Sequence, residues 1–346
     1  MASIYEEITA PLMGTKWEQN AKERTPYLGE ALFPSRKQLG VEISYLKGKQ
    51  PKIRPLNLSS YDAKVIPLSR EAFEKVSTEI PFFKNSMVVN EKMRQQLNQV
   101  ASTDNRSLIQ PIVDVIFDDN ARLLRNADVT REMLRMQLLT SGAIAVSNNG
   151  QGLALDFGVP AENKKTTNWH DTANADPVTD IITWCDEIEN ATGVRPTSGI
   201  LNRKTLALWA KADSVKNAIY VFANGTVTPN TATAQRYVEQ ETGVTFYVYD
   251  KGYKDETKND EFTKFVADDV VVLFDGSTVG EGVFGTTPEE SDLMTGTDAV
   301  VSIVDTGVAI TTTKETDPVT VVTKVSMSYL PVLTSPETLV IASVNG

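Results

Sequence analysis

The sequence predicts an α+β chain of several lobes that reaches beyond its own core. Three observations carry this. The segment "PVTVVTKVSMSYLPVL" alternates far longer than an ordinary strand. Helix-favouring stretches alternate with short apolar runs across the middle of the chain. A proline-punctuated segment near the start follows neither period. With 346 residues, 41% hydrophobic and 23% charged, the chain has material for two or more lobes and the balance of a folded protein.

Taken in order, residues 1–30 show weak periodicity and the breakers Pro11, Gly14, Pro26 and Gly29, so an extended arm is expected. "VEISYLKG", Val41 to Gly48, reads as a strand, with Val41, Ile43 and Tyr45 alternating with Glu42 and Ser44. "QPKIRPLNLSSYDAKVIP" carries three prolines and predicts a long excursion, the kind of loop that serves function or an interface. Between 86 and 145 the pattern is mostly helical. Met93, Leu97 and Val100 share one face of "NEKMRQQLNQV". "DVTREMLRMQLLTSGAIAV" continues as a helix with Asp128 or Thr130 as its N-cap. "LALDFG", Leu153 to Gly158, is a short strand ending in a turn, and the polar "PAENKKTTNWHDTANADP" that follows reads as a lobe boundary.

Beyond it, Asp176 caps a helix, Pro177 opens it and Gly193 stops it, with Ile181, Ile182, Trp184, Cys185 and Ile188 on one side. A second helix spans Asn202 to Lys211 with Leu206 and Trp209 inward, and a third, Thr231 to Thr242, leads into the strand "VTFYVYD". Near the end, Val319, Val321, Thr323, Val325, Met327 and Tyr329 alternate with Thr320, Lys324, Ser326 and Ser328. At ~3.3 Å per residue this predicts a strand about 35 Å long, a structural spar.

Charge excludes one class of function. The net charge is −11, and Lys and Arg are scattered, with nothing denser than pairs such as Lys164-Lys165. Gripping nucleic acid needs a concentrated basic face, although an acidic wall can still enclose DNA without holding it. The single cysteine, Cys185, forms no internal disulfide and fits a reducing cytoplasm. No apolar run approaches the ~20 residues of a membrane span, and the opening MASIYEEITAPL does not read as a secretory signal.

Candidate chemistry is thin. "GEGVFG", Gly280 to Gly285, has the spacing of a dinucleotide fingerprint, which needs a strand before it and a helix after it. Here Asp275-Gly276-Ser277 separates it from the run "VVVLF", and Pro288 falls where that helix should be under way, so a glycine-rich turn is expected. The only histidine, His170, is expected in a loop, and Cys185 as a buried small hydrophobe, not a Cys–His pair. Asp118-Asp119 and Asp268-Asp269 lack the spacing of a calcium loop and read as solvated turn or cap residues. Trp184, Trp209, Phe246, Tyr247 and Tyr249 read as core. No catalytic, cofactor-binding or metal-ligating residue is assigned, no cofactor is expected, and the arm, loop and spar favour an assembling structural protein.

Three stretches together resemble the lambda-type major capsid proteins of tailed bacteriophages, the major capsid protein E family. They are "ALFPSRKQLGVEISYLKG" with "IPFFKNSMVV"; "GVTFYVYDKGYKDETKNDEFTKFVADDVVVLFDGSTVGEGVFGTTPEE"; and "VSMSYLPVLTSPETLVIASV". The chain departs from the family pattern in having Ala267 before Asp268-Asp269, and in the stretch 291–316, which reads as a local hairpin insertion. The resemblance places Gly280, Gly282 and Gly285 in a shell subunit's glycine turn.

The resemblance implies the tailed-phage and herpesvirus, or Hong Kong 97-like, capsid fold. It divides the chain into an N-terminal arm (1–30), an entry strand and extended two-stranded loop (31–85), and a peripheral lobe with a spine helix (86–160). An axial lobe (161–310) follows, then a long return strand of the peripheral lobe and a closing strand (311–346). The implied function is a non-enzymatic major capsid protein. It would assemble through pentamers and hexamers into an icosahedral head around double-stranded DNA without sequence-specific binding, in the virion and made in the bacterial cytoplasm. Implied partners are further copies, a portal, a separate scaffold and a decoration protein, with no membrane. Lys47, Lys49 and Lys52 in the loop read as solvent-facing charges. The alternatives are a nanocompartment shell or other phage structural protein, and, on GEGVFG alone, a nicotinamide-dependent oxidoreductase.

Overall fold

The structure is a computed structural model that describes residues 26–47, 74–92, 94–95, 106–148, 151–220, 227–255, 259–276, 278–293, 300–304, 306–315 and 317–346. Most of the expected arm, the proline-rich excursion with Lys49 and Lys52, and Met93, Leu97 and Val100 lie outside these residues.

The first described residues fold rather than trail: Leu28–Leu32 form helix α1, and Phe33 behind it is fully buried. Strand β1 (Ser35–Lys37) and the expected strand β2 (Glu42–Lys47) follow; Ile43 is buried, but Val41 lies outside β2 and is half exposed. After strands β3 (Glu74–Glu79) and β4 (Phe82–Val89) comes helix α2, Arg106–Ser141, 36 residues and about 54 Å long.

Two expectations change here. Asp128 and Thr130 do not cap a helix; they sit inside α2, where Asp128 pairs with Arg131 and Thr130 Oγ1 donates to Asn126 O at 2.8 Å. "AIAV" is not helical either. Gly142, at φ +73°, stops α2, and a Cβ there would lie 2.6 Å from Val159 Cγ2. The chain then turns back as the hairpin β5 (Ala143–Asn148) and β6 (Gln151–Asp156), which ends with Gly158 N donating to Asp156 Oδ1 as the turn after "LALD" requires.

The polar stretch expected to divide lobes is built into a sheet. It holds strand β7 (Lys164–Thr166), and its Trp169 is fully buried. Three helices then share one device, an Asx cap with threonine three residues on. Asp176 Oδ1, Asn202 Oδ1 and Asn230 Oδ1 accept from Thr179 N, Thr205 N and Thr233 N at 3.2, 2.9 and 2.7 Å. The helices are α3 (Pro177–Thr192), α4 (Arg203–Lys211, preceded by strand β8, Ser198–Leu201) and, after α5 (Asp213–Ile219), α6 (Thr231–Thr242). Gly193 and Gly243, at φ +80° and +72°, end α3 and α6. Along α3, Ile182 is half-buried and not on the sealed face with Ile181.

Strand β9 (Thr245–Val248) and the hairpin β10 (Gly252–Asp255) and β11 (Glu261–Lys264) lead to β12 (Val270–Phe274). The rest is β13 (Gly280–Phe284), β14 (Val300–Val304), β15 (Val308–Lys314), the spar β16 (Val321–Leu333, 13 residues) and β17 (Val340–Ser343). The hairpin expected within 291–316 is present as β14 and β15.

Two larger sheets organise these strands. One runs β1-β13-β16-β15-β14, with β4 also paired to β16. Because β4 and β15 both pair residues 321–327 of β16, they occupy its opposite edges. Pro331 lies opposite Gly282, whose N–H donates to Pro34 O, so that pair asks nothing of the N–H proline lacks. The other sheet runs β7-β17-β12-β8-β9. The sheets do not respect a division at 310/311: β13, β14 and β15 belong with β16, while the closing strand β17 lies in the other sheet.

Burial along β8 and β12 alternates between two cores. Ile200, Val272 and Phe274 face the core that includes α2 and the spar; Leu201, Val271 and Leu273 face the core that includes α3, α4 and α6. The five-stranded sheet is thus covered on both sides, which is why "VVVLF" is apolar throughout instead of alternating.

Candidate functional site: the seam on helix α2

Along α2 the residues facing inward include Leu124, Ala127, Leu134 and Leu138, and among them stand four charges: Asp128, Arg131, Glu132 and Arg135, each at most 6% exposed. Their spacing of three, one and three places them on one stripe. Buried charges need partners, and these reach four elements. Glu132 Oε1 accepts from Gly29 N of α1 at 3.1 Å and from the Tyr249 hydroxyl, just past β9, at 2.7 Å. Arg135 Nε donates to the Tyr329 hydroxyl of β16 at 2.7 Å, and its guanidinium lies 5.4 Å from the centre of that ring. Arg131 pairs with Asp128 and lies over Phe284 of β13 at 5.7 Å.

Glu132 is incompletely satisfied. Its Oε2 has no hydrogen-bond partner, and Arg135 Nη1 stands 3.7 Å away. Burial therefore raises the Glu132 carboxyl above its ordinary range, against the lowering effect of Tyr249, Gly29 and Arg135. Burial, reinforced by Glu132, raises the Tyr249 hydroxyl far above its ordinary range, so it remains a donor.

The glycines of GEGVFG serve this seam and are not in a turn: Gly280 and Gly282, with Glu281, Val283 and Phe284, form β13, between β1 and β16. A Cβ on Gly282 would lie 2.7 Å from the Tyr329 hydroxyl. One on Gly280 would lie 2.0 Å from Val332 O and 2.8 Å from Phe33. The glycines let the spar and its tyrosine approach. Pro288 belongs to a capping box: Thr287 N donates to Glu290 Oε2 at 3.0 Å and Glu290 N to Thr287 Oγ1 at 3.4 Å. A dinucleotide site is not assembled here.

The other candidates lie apart. His170 Nε2 is 3.0 Å from Asp269 Oδ1, in a loop as expected. Cys185 is fully buried, with Pro196 O 4.0 Å from its Sγ, and burial pushes its thiol up to about 11, so the reactive thiolate is absent at neutral pH. Asp118 and Asp119 fall within α2 rather than in a turn or cap. Asp268 is held by Lys264, Lys204 and Asn202 at 2.7, 2.9 and 2.7 Å, and the two lysines lower its carboxyl to about 2. Asp269 takes φ +63°, and its N–H donates to Thr205 Oγ1. The two aspartates are thus bound corner residues, not free solvated ones. Trp184, Trp209, Phe246 and Tyr249 are core as expected; Tyr247 is 43% exposed on β9. Among the described residues no group of His, Cys, Asp and Glu could hold a metal ion, and no helix is long and apolar enough to cross a membrane.

Sequence reading missed Gly29, Glu132, Arg135 and Tyr329. One signal was available: charges at 128, 131, 132 and 135 occupy the stripe where the flanking turns place leucine, a pattern that marks a helix buried on a polar seam.

The fold is shared with phage structures. A structure described as a prophage capsid protein from E. coli CFT073 matches with a TM-score of 0.62 and 12% identity, over 97% of this chain and 99% of the other. A phage-related protein from Bordetella bronchiseptica RB50 matches at TM-score 0.52 and 13% identity, over 98% and 97%. The capsid asymmetric unit of cyanophage A-1(L) matches at 0.50 and 9%, over 93% of each chain. No curated protein matches the chain. The architecture is therefore of the Hong Kong 97-like kind, and the family model of phage major capsid protein E matches residues 15–344. The chain belongs to the phage major capsid protein E family.

Proposed function

We propose that this chain builds the icosahedral head of a tailed phage by non-catalytic self-assembly through pentamers and hexamers. The observation that carries the reading is the family match over residues 15–344 of a chain whose fold is that of phage capsid structures. In this reading the α2–spar body is the peripheral lobe, with α2 as its spine. The five-stranded sheet with α3 to α6 is the axial lobe that meets its copies around the symmetry axes. A closed shell follows when identical weak contacts repeat around those axes.

The net charge of −11 supports an inner wall that encloses DNA without holding it. The partners are a portal, a separate scaffold and a decoration protein, and assembly takes place in the bacterial cytoplasm. Electron microscopy of the protein expressed alone and together with its neighbouring genes tests this. Closed icosahedral particles or sheets of hexamers are expected. A chain that stays monomeric with every neighbouring gene present would refute the shell.

A further inference from the structure

The end of the arm is held by side chains from outside it. Helix α1 has only five residues, and its N-cap, Tyr27, makes no side-chain cap bond. Its first-turn N–H groups are answered from elsewhere: Gly29 N by Glu132 Oε1, and the Leu28 backbone by the Tyr249 hydroxyl. Gly29 also permits the approach, since a Cβ there would lie 2.4 Å from Glu132 Oε2 and 2.8 Å from Arg135 Cδ. The Tyr27 ring packs edge-on against Phe265 at 5.8 Å, and Lys251 Nζ stands 4.9 Å above it while donating to Pro26 O at 3.3 Å.

We infer that Gly29, Glu132 and Tyr249 form a proton-linked seat for the arm end, in which α1 docks more firmly when the Glu132 carboxyl is protonated and loosens as it ionises. The geometry requires the link. Docked α1 covers a carboxylate whose Oε2 lacks a partner; when α1 lifts, water reaches Glu132 and stabilises its charge. The charged and titratable groups around it are Asp128, Arg131 and Arg135 on α2, Tyr27 and Glu30 at α1, Tyr249 after β9 and Tyr329 on the spar. Three groups oppose the effect: the Tyr249 hydroxyl and the Gly29 N–H, which donate to the carboxylate, and Arg135, at 3.7 Å and without a hydrogen bond to it; burial outweighs them. Glu30 adds to it by repulsion. The sign follows: burial raises the carboxyl in the docked state, so its contribution to docking is complete at acidic pH and is lost as pH rises through the docked-state value.

The test is hydrogen–deuterium exchange of the amides of 28–33 in the full chain between pH 5.5 and 8.5, corrected for intrinsic rates. In the unaltered chain the opening of α1 should grow with pH, by at most about tenfold per unit because a single proton is released. Glu132→Gln keeps the acceptor and removes the charge, so its opening should be independent of pH. Gly29→Ala should strip protection from α1 at every pH while α3 and α4 stay protected. Tyr249→Phe, which deletes only a hydroxyl, should raise opening by a smaller factor. An equal pH slope in Glu132→Gln and the unaltered chain would overturn the inference, as would unchanged protection of α1 in both Gly29→Ala and Tyr249→Phe. The readout lies within one subunit, so its outcome is separate from whether that subunit closes into shells.

Discussion

On one face of the five-stranded sheet, Trp169, Trp184 and Trp209 pack with ring centroids 6.0 and 6.2 Å apart, and Trp209 meets Phe246 edge-on at 4.8 Å. On the other face, α2 sets two arginines, a glutamate and an aspartate against the spar, the arm end and Tyr249. The first region is an apolar core in which α3, α4 and α6 carry their own caps. The second is a polar seam whose Glu132 and Arg135 depend on distant segments: Gly29 to Glu132 spans 103 residues and Arg135 to Tyr329 spans 194. An apolar core tolerates sliding, because its attraction has no direction. A buried ion network is unforgiving of it, since a slip leaves charges without partners. One face supplies cohesion and the other sets position.

The largest effect should come from emptying the aromatic face. Trp209→Ala should cost about 3–5 kcal/mol, the range for deleting a large buried aromatic, and equilibrium urea unfolding followed by tryptophan fluorescence checks it. A loss below about 1 kcal/mol would mean that this face is not the main source of cohesion. The seam should respond less in energy and more in specificity. Tyr329→Phe removes the acceptor for Arg135 Nε and should cost about 1–3 kcal/mol, read as a lower midpoint in the same titration. If Tyr329→Phe proved neutral, the seam would not be positioning the spar. The smallest effect belongs to the exposed corner at Asp268. Its carboxyl is lowered to about 2 from 3.8, first by Lys264 and then by Lys204, so its contribution is present above pH 4 and lost as pH falls through about 2. Asp268 is 34% exposed, so screening limits Asp268→Asn to under ~1 kcal/mol, and its effect should fade in high salt.

The two regions also differ in how much the sequence discloses. Asp176 caps its helix, Gly193 ends it, and Asn202 starts the next; each signal acts within a few residues of its effect. The spar was visible for the same reason, although it starts at Val321 and not at Val319, which is 46% exposed. Around α2 the local signals misled. Asp128 and Thr130 have the chemistry of caps, yet the helix runs through them because Arg131 and the Asn126 carbonyl satisfy their side chains from inside the helix. The glycines at 280 and 282 resemble a turn because both turns and close-packed strands need the missing Cβ, and only the neighbour across the sheet distinguishes the two.

By itself the sequence determined the composition of the cores, the capped helices, the long strand and, through its resemblance over most of the chain, the family. All of these follow from periodicity and from interactions that close over a few residues. The tertiary structure alone decided that one sheet separates two cores, that the closing strand joins the sheet of the capped helices, and that Gly282 makes room for Tyr329 under Arg135. Those outcomes depend on which distant segments become neighbours. A carboxylate that reads as a solvated helix charge becomes a buried seat only when the arm end, a tyrosine and a neighbouring arginine enclose it.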